Sequence, residues 1–242
     1  MFNDYFEIFL ADTEESKNIH YSIRYQVYCE ELGYENKGDF PDQMEFDDDD
    51  TRSVHFIIRN KQTKQWVGTV RLINKQDNLL PIEQNGSMNQ EIHTNDLFGA
   101  VELSRLCLIK DVRRNKDIDP PHGIIASDAS KAEKSAGDVP SQNKLNRLII
   151  WGLFHAVAEY CQVNKKQYCY FMTTRILAKV LKVGGLKIIK IGEGIDHKGQ
   201  RFPFKLDAIR AYHSDIWQSQ FNSFQLFSES KNCQYSSAAA AA

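Results

Sequence analysis

The chain has 242 residues, with 30 basic against 32 acidic side chains, a formal net charge of −2 and 42% hydrophobic content. That length is ample for a sizeable core, and the near-zero charge gives no reason to expect nucleic acid or an anionic membrane surface as the main partner. No apolar run is long enough to span a bilayer, the start MFNDYFEIFL lacks the basic segment of a secretory signal, and Cys29, Cys107, Cys161, Cys169 and Cys233 show no C-x-x-C spacing. The expectation is a cytoplasmic protein without an integral membrane segment, its thiols reduced and buried.

The stretch ADTEESKNIHYSIRYQVYCEELG predicts a helix. Asp12 with Glu15 three residues on forms a capping-box-like start, and Gly33 supplies the stop. Ile19, Ile23 and Val27 recur at helical spacing and face the core, with Arg24 and Tyr28 one turn apart beside that stripe. A polar loop runs through Asp50, and VHFIIRN and WVGTVRLIN then read as an antiparallel hairpin. Alternation in the second strand puts Val67, Thr69, Arg71 and Ile73 on one face. VELSRLCLI is a third strand, and residues 117–141 form a polar insertion inside one domain of residues 1–230. NKLNRLIIWGLFHAVAEYCQVN reads as an apolar helix and QYCYFMTT as a buried strand. RILAKVLKVGG is a short amphipathic helix, and LKIIKIGE with RFPFKLDAI a second hairpin. Residues 231–242, ending SSAAAAA, form a tail set apart from the fold. This order predicts an α/β sandwich with a mixed sheet.

MEFDDDDTRSVHFII concentrates carboxylates before a strand. Calcium does not fit, because an EF-hand counted from Asp47 needs Gly and Glu where Arg52 and Ile58 stand. A magnesium-phosphate site would want a phosphate-cradling glycine loop, and the seven histidines lack zinc-type spacing, so no metal is expected. A solvated loop is one reading of the run. The other is an ionic cluster in which Asp47, Asp50 and Glu102 meet Arg24, Arg71 and Arg105, with Asp48 and Asp49 left in solvent.

Helical R-Y-x-V-Y, then ELGY, E-x-D-x-x-D, strand G-T-V-R-L and strand E-L-S-R follow in order from Arg24 to Arg105, and LAKVLKVGGL comes later. This succession resembles the acyl-homoserine-lactone (autoinducer) synthases of the GNAT acyltransferase superfamily. Tyr28 stands where that family usually has Phe, and Tyr34 where it usually has Trp. Together with the insertion and the stretch IGEGIDHKGQRFPFKLDAI, these departures are more similar to the PEP-CTERM/exosortase-associated, N-acyl amino acid synthase-like acyltransferases. The resemblance implies a three-layer αβα GNAT-like fold, its mainly antiparallel sheet splayed between the fourth and fifth strands. It implies transfer of a fatty acyl group from a thioester to the amine of an amino acid-like acceptor. S-adenosylmethionine is the alternative acceptor, as in quorum-sensing lactone synthesis, and a non-catalytic acyl-binding protein is a further alternative.

In that chemistry Glu102 is the candidate general base or, equally, a structural partner of Arg71 or Arg105. Arg24, Tyr28, Tyr34, Asp47, Asp50 and Ser104 are candidates for holding the acceptor. Regular alternation would put Glu102 and Ser104 opposite Arg105, whereas the bulge typical of GNAT strands would bring them together. Arg113 and Arg114, with Lys144 and Arg147 on the next helix, suit an acidic acyl carrier protein as donor rather than acyl-CoA, although a merely solvated basic turn reads equally well. Leu148 to Val157 and the strand YCYFM either wall an acyl tunnel or fill the core.

Overall fold

The computed structural model describes residues 2–84, 88, 99–113 and 142–230, without the side chains of 142–146 and 218–220. The 117–141 insertion and the tail lie outside the described residues. Among the described residues nine strands are formed: β1 Phe6–Leu10, β2 Ser53–Asn60, β3 Trp66–Asn74, β4 Val101–Leu108, β5 Tyr168–Thr173, β6 Ile188–Lys190, β7 Ile195–Asp196, β8 Gln200–Asp207 and β9 Gln225–Leu226. Their order is β6-β8-β5-β4-β3-β2-β1-β9, with β7 paired to β8. All pairings are antiparallel except β4 with β5 and β1 with β9.

Most segments read as strands from the sequence form strands at nearly the expected bounds, because β-branched and aromatic residues bounded by polar turns settle on a half-buried pleat, but LKIIKIGE keeps only Ile188–Lys190 and RFPFKLDAI ends its strand at Asp207. β1 was not anticipated. FEIFL is too short to show alternation, and its pairing of Phe6–Leu10 with Phe56–Asn60 makes it a strand. β4 and β5 pair only through Val101–Leu103 against Cys169–Phe171, although β4 continues to Leu108. The sheet therefore parts there, as expected of the splayed fold.

Helix α1, Glu14–Tyr25, begins one residue later than expected. Thr13 is the cap: its hydroxyl accepts the Ser16 N–H while Ser16 Oγ accepts the Thr13 N–H at 3.0 Å. Asp12 instead accepts the Ser228 N–H at 3.0 Å. The chain then widens into a π-helical turn, Gln26–Glu31, and leaves through Gly33 at φ 62°, a left-handed angle that glycine tolerates. Helix α2 is Gln142–Val163 and α3 is Arg175–Val183, capped by Thr174. α1 covers the sheet face that carries Thr69 and Arg71. α2 covers the other, where Tyr160 meets Phe56 edge-on. Leu148, Ile149, Leu153, Phe154 and Val157 of α2 pack with Phe171 in the main core, so the residues considered for a tunnel wall fill space.

Candidate active site

The acidic run folds into a single 3₁₀ turn, Asp48–Arg52, because its own acids cap it. Asp47 Oδ1 accepts the Asp49 N–H at 3.0 Å, and the Asp47 N–H donates to Asp50 Oδ2 at 2.8 Å. This turn aims Asp47 and Asp50 at the sheet. Arg71 Nη1 lies 2.5 Å from Asp47 and 2.9 Å from Asp50, while its Nε donates to Ser104 Oγ at 2.9 Å. Arg24, fully buried on α1, pairs through Nη1 with Asp50 at 2.7 Å and through Nε with Glu45.

Arg105 joins the group through a β-bulge. Thr69 lies opposite Cys107 and Arg71 opposite Ser104, so Arg105 and Leu106 together face the single residue Val70. Arg105 takes φ 50°, a left-handed conformation that a non-glycine residue holds only when its surroundings over-determine it. Here they do: its guanidinium reaches Glu45 at 2.9 Å and Asp47 at 2.9 Å and stands over the Tyr28 ring. Ser104, through Arg71, and Arg105 consequently address one cluster. Three guanidiniums face three carboxylates, Glu45, Asp47 and Asp50.

Glu45 opens the E-x-D-x-x-D motif but was left out of the expected cluster, yet it is the deepest of the three acids, 1% exposed, and bridges Arg24 and Arg105. Burial alone would raise the carboxyls of Glu45 and Asp50, but their arginine partners overrule it and hold both below the ordinary range. Burial opposes the charge on Arg24 and Arg105 as well, and Glu45 above all reverses it, raising both guanidiniums.

Glu102 is the correction to the expected cluster. Among the described residues it makes no ion pair with Arg71 or Arg105. Its Oε2 accepts the Ile82 N–H at 2.8 Å, and the residue lies across from Ile73 and Tyr170. Burial pushes its carboxyl up to about 8, only partly offset by the Ile82 N–H and by Arg71. Asp49 departs from expectation too. It is not left in solvent but binds Arg52 at 2.6 Å, whereas Asp48 is exposed.

Tyr28 and Tyr34 stack with ring centroids 6.5 Å apart, and Lys198 of the β7–β8 turn stands over Tyr34 while pairing with Glu35. The Tyr28 hydroxyl donates to the Leu106 carbonyl at 3.4 Å on the bulge. Burial raises this phenol well above its ordinary range, so it stays protonated.

A buried group that the sequence scatters lies beneath: His20 and His55, rings 4.5 Å apart, beside Asp50. Burial first, then His55, Arg24 and Arg71, hold His20 well below its usual value, and burial holds His55 at about 4. Both are neutral near pH 7. Asp50 Oδ1 already accepts from Arg24 and Arg71, so a cation bound here would have to displace a guanidinium.

Of the donor-side residues, Arg113 pairs with Glu31 and Arg147 is exposed. Arg114 and the Lys144 side chain lie outside the described residues. α3 and the segment that follows it through β6 are more strongly basic: Arg175, Lys179, Lys182, Lys187 and Lys190 are exposed, with Arg175 and Lys190 both over the Phe202 ring. Val183 and Ile189 are exposed beside them.

Residues 23–119 match the profile of the acetyltransferase (GNAT) domain, a span that contains Arg24 through Arg105. No curated protein sequence matches the chain. Among solved structures it is similar to TofI in a ternary complex with an inhibitor and MTA, with TM-score 0.55 and 14% identity over 84% of this chain and 91% of that one. It is similar also to BjaI, a CoA-dependent acyl-homoserine lactone synthase with SAM and isopentyl-CoA, with TM-score 0.54 and 16% identity over 92% and 95% of the two chains. FeeM, an N-acyl amino acid synthase from uncultured soil microbes, gives TM-score 0.51 and 14% identity over 89% and 94%. At such identities the likeness is one of fold. Among the described residues no helix is long and apolar enough to cross a membrane.

Proposed function

We propose that this GNAT domain transfers a fatty acyl group from a carrier-bound thioester to the amine of an amino acid-like acceptor. The observation that carries the proposal is Glu102: a buried carboxyl raised to about 8, on β4 beside the parted strands, in no direct ion pair among the described residues and offset only in part by Arg71. A base of that strength matches the task of taking a proton from an amine near neutral pH. The thioester is already activated, so alignment and proton removal are the main requirements. The amine nitrogen attacks the thioester carbonyl, Glu102 receives the amine proton directly or through a water, and the carrier thiolate leaves.

The ionic cluster sets what the acceptor can meet. Its arginines are matched by carboxylates, and the most open of these is Asp47, with a side chain 33% exposed. Asp47 suits the ammonium of an arriving acceptor, while Tyr28 and Tyr34 offer it an aromatic wall. On the donor side, the exposed lysines of α3 and its flank, with Val183 and Ile189, suit the acidic and apolar surface of an acyl carrier protein better than the short, paired Arg113 turn does.

The test is an assay of purified protein with acyl-carrier-protein and acyl-CoA thioesters, offered amino acids or S-adenosylmethionine, with products read by mass spectrometry. N-acyl amino acid is expected from the carrier thioester, and Glu102→Gln should cut kcat/KM about 10²- to 10⁴-fold. Lactone formed from S-adenosylmethionine alone would replace the acceptor. An undiminished Glu102→Gln rate would remove the base.

A further inference from the structure

The only hydrogen bond that Glu102 makes among the described residues comes from a turn whose placement is itself costly. Pro81–Gln84 forms one helical turn, with Glu83 and Gln84 N–H groups on the Leu80 carbonyl at 2.9 and 3.1 Å. A single turn of that length does not hold itself in water. Two ion pairs hold it here, one at each flank.

On one flank, Glu83 receives Lys75 Nζ at 2.7 and 2.9 Å and the Leu80 N–H at 2.7 Å. The Lys75 N–H binds the Ala100 carbonyl at 3.0 Å, next to the start of β4, so this clamp ties the turn to the strand that bears Glu102. On the other flank Arg52, 9% exposed, donates to the carbonyls of Asn78 at 3.2 Å and Leu79 at 2.8 Å. Its guanidinium is fixed in turn by Asp49 at 2.6 Å. The acidic run thus does two jobs: Asp47 and Asp50 serve the arginine cluster, and Asp49 secures the turn that faces Glu102.

We infer that Lys75, Glu83, Arg52 and Asp49 are positioning residues that fix the Ile82 N–H against the Glu102 carboxylate and so set the pH at which Glu102 accepts a proton. The inference rests on the reading of Glu102 as the base. A hydrogen bond donated to a carboxylate favours the ionised form, so losing it moves the carboxyl further upward; the Arg71 and Arg52 charges also lower the carboxyl directly and Asp49 raises it, so the clamp is tested at Lys75 and Glu83.

The experiment is the pH dependence of kcat/KM for acyl transfer in wild type, Glu83→Gln and Lys75→Met, with thermal melting confirming that each is folded. Both variants should move the acid limb up by about one unit, lowering kcat/KM at pH 7 about tenfold while the alkaline plateau is kept. A limb that stays in place, with kcat/KM either unchanged or reduced equally at every pH, would overturn the inference. Lys75→Met breaks the clamp from its other end, so a folding failure of Glu83→Gln alone leaves the question decidable. Glu102→Gln run alongside separates the two claims: full activity there ends the base reading, whereas its loss combined with unmoved limbs ends the positioning reading alone.

Discussion

At the bulged end of β4, Arg105 meets Glu45 and Asp47 in a cluster where three guanidiniums face three carboxylates. Three residues earlier on the same strand, Glu102 is as deeply buried yet meets one backbone N–H and lies across from Ile73 and Tyr170. Burial pushes the carboxyls of Glu45, Asp50 and Glu102 upward. Compensation decides the result: Glu45 and Asp50 end below the ordinary range and stay ionised, and Glu102 ends near 8 and is mostly protonated at neutral pH. A carboxyl can therefore be held ionised in one part of this sheet and protonated in another, by pairing the first directly with arginines and leaving the burial of the second largely unopposed.

The comparison can be broken most severely on the compensated side. Arg24→Met would take from Glu45 and Asp50 the one buried guanidinium they share and is expected to destabilise the fold by about 3–5 kcal/mol in chemical denaturation. A loss under 1 kcal/mol would mean that the cluster is hydrated rather than desolvated.

The uncompensated side is sharpened by Glu102→Gln, which keeps the shape and removes the titration. In the wild type the folded carboxyl titrates near 8 and the unfolded one near 4.5, so the native state holds a proton that the unfolded state has released. Stability contributed by this group is thus complete below pH 4.5 and lost as pH rises through 8. The stability of Glu102→Gln relative to wild type should grow between pH 5 and pH 8 by about 2 to 4 kcal/mol. A difference that stays flat across that range would place Glu102 with the compensated acids.

Much of the compensated half was legible in the sequence. Arg24 beside a helical stripe and Arg71 inside an alternating strand have nowhere to go but a buried partner, and the acids before β2 are the nearest supply. The bulge at Arg105 followed from the resemblance and not from alternation, which argues against it. Glu45 escaped because Glu102 filled its place in the charge count: three arginines need three carboxylates, and the set looked complete. What displaced Glu102 was the Ile82 N–H, offered by a turn 20 residues away in sequence that no local pattern ties to β4. The Asp49–Arg52 pair was hidden for a related reason, since a run of like charges reads as solvated until the turn that folds it is seen. β1 and β9 are strands by pairing rather than by pattern.

The most direct test of the account is a ¹³C NMR titration of the Glu102 side-chain carboxyl, assigned by the signal missing from Glu102→Gln. A midpoint near pH 8 is predicted. A midpoint in the ordinary glutamate range, about 4.3, would contradict it and leave Glu102 as one more ionised acid beside the arginines.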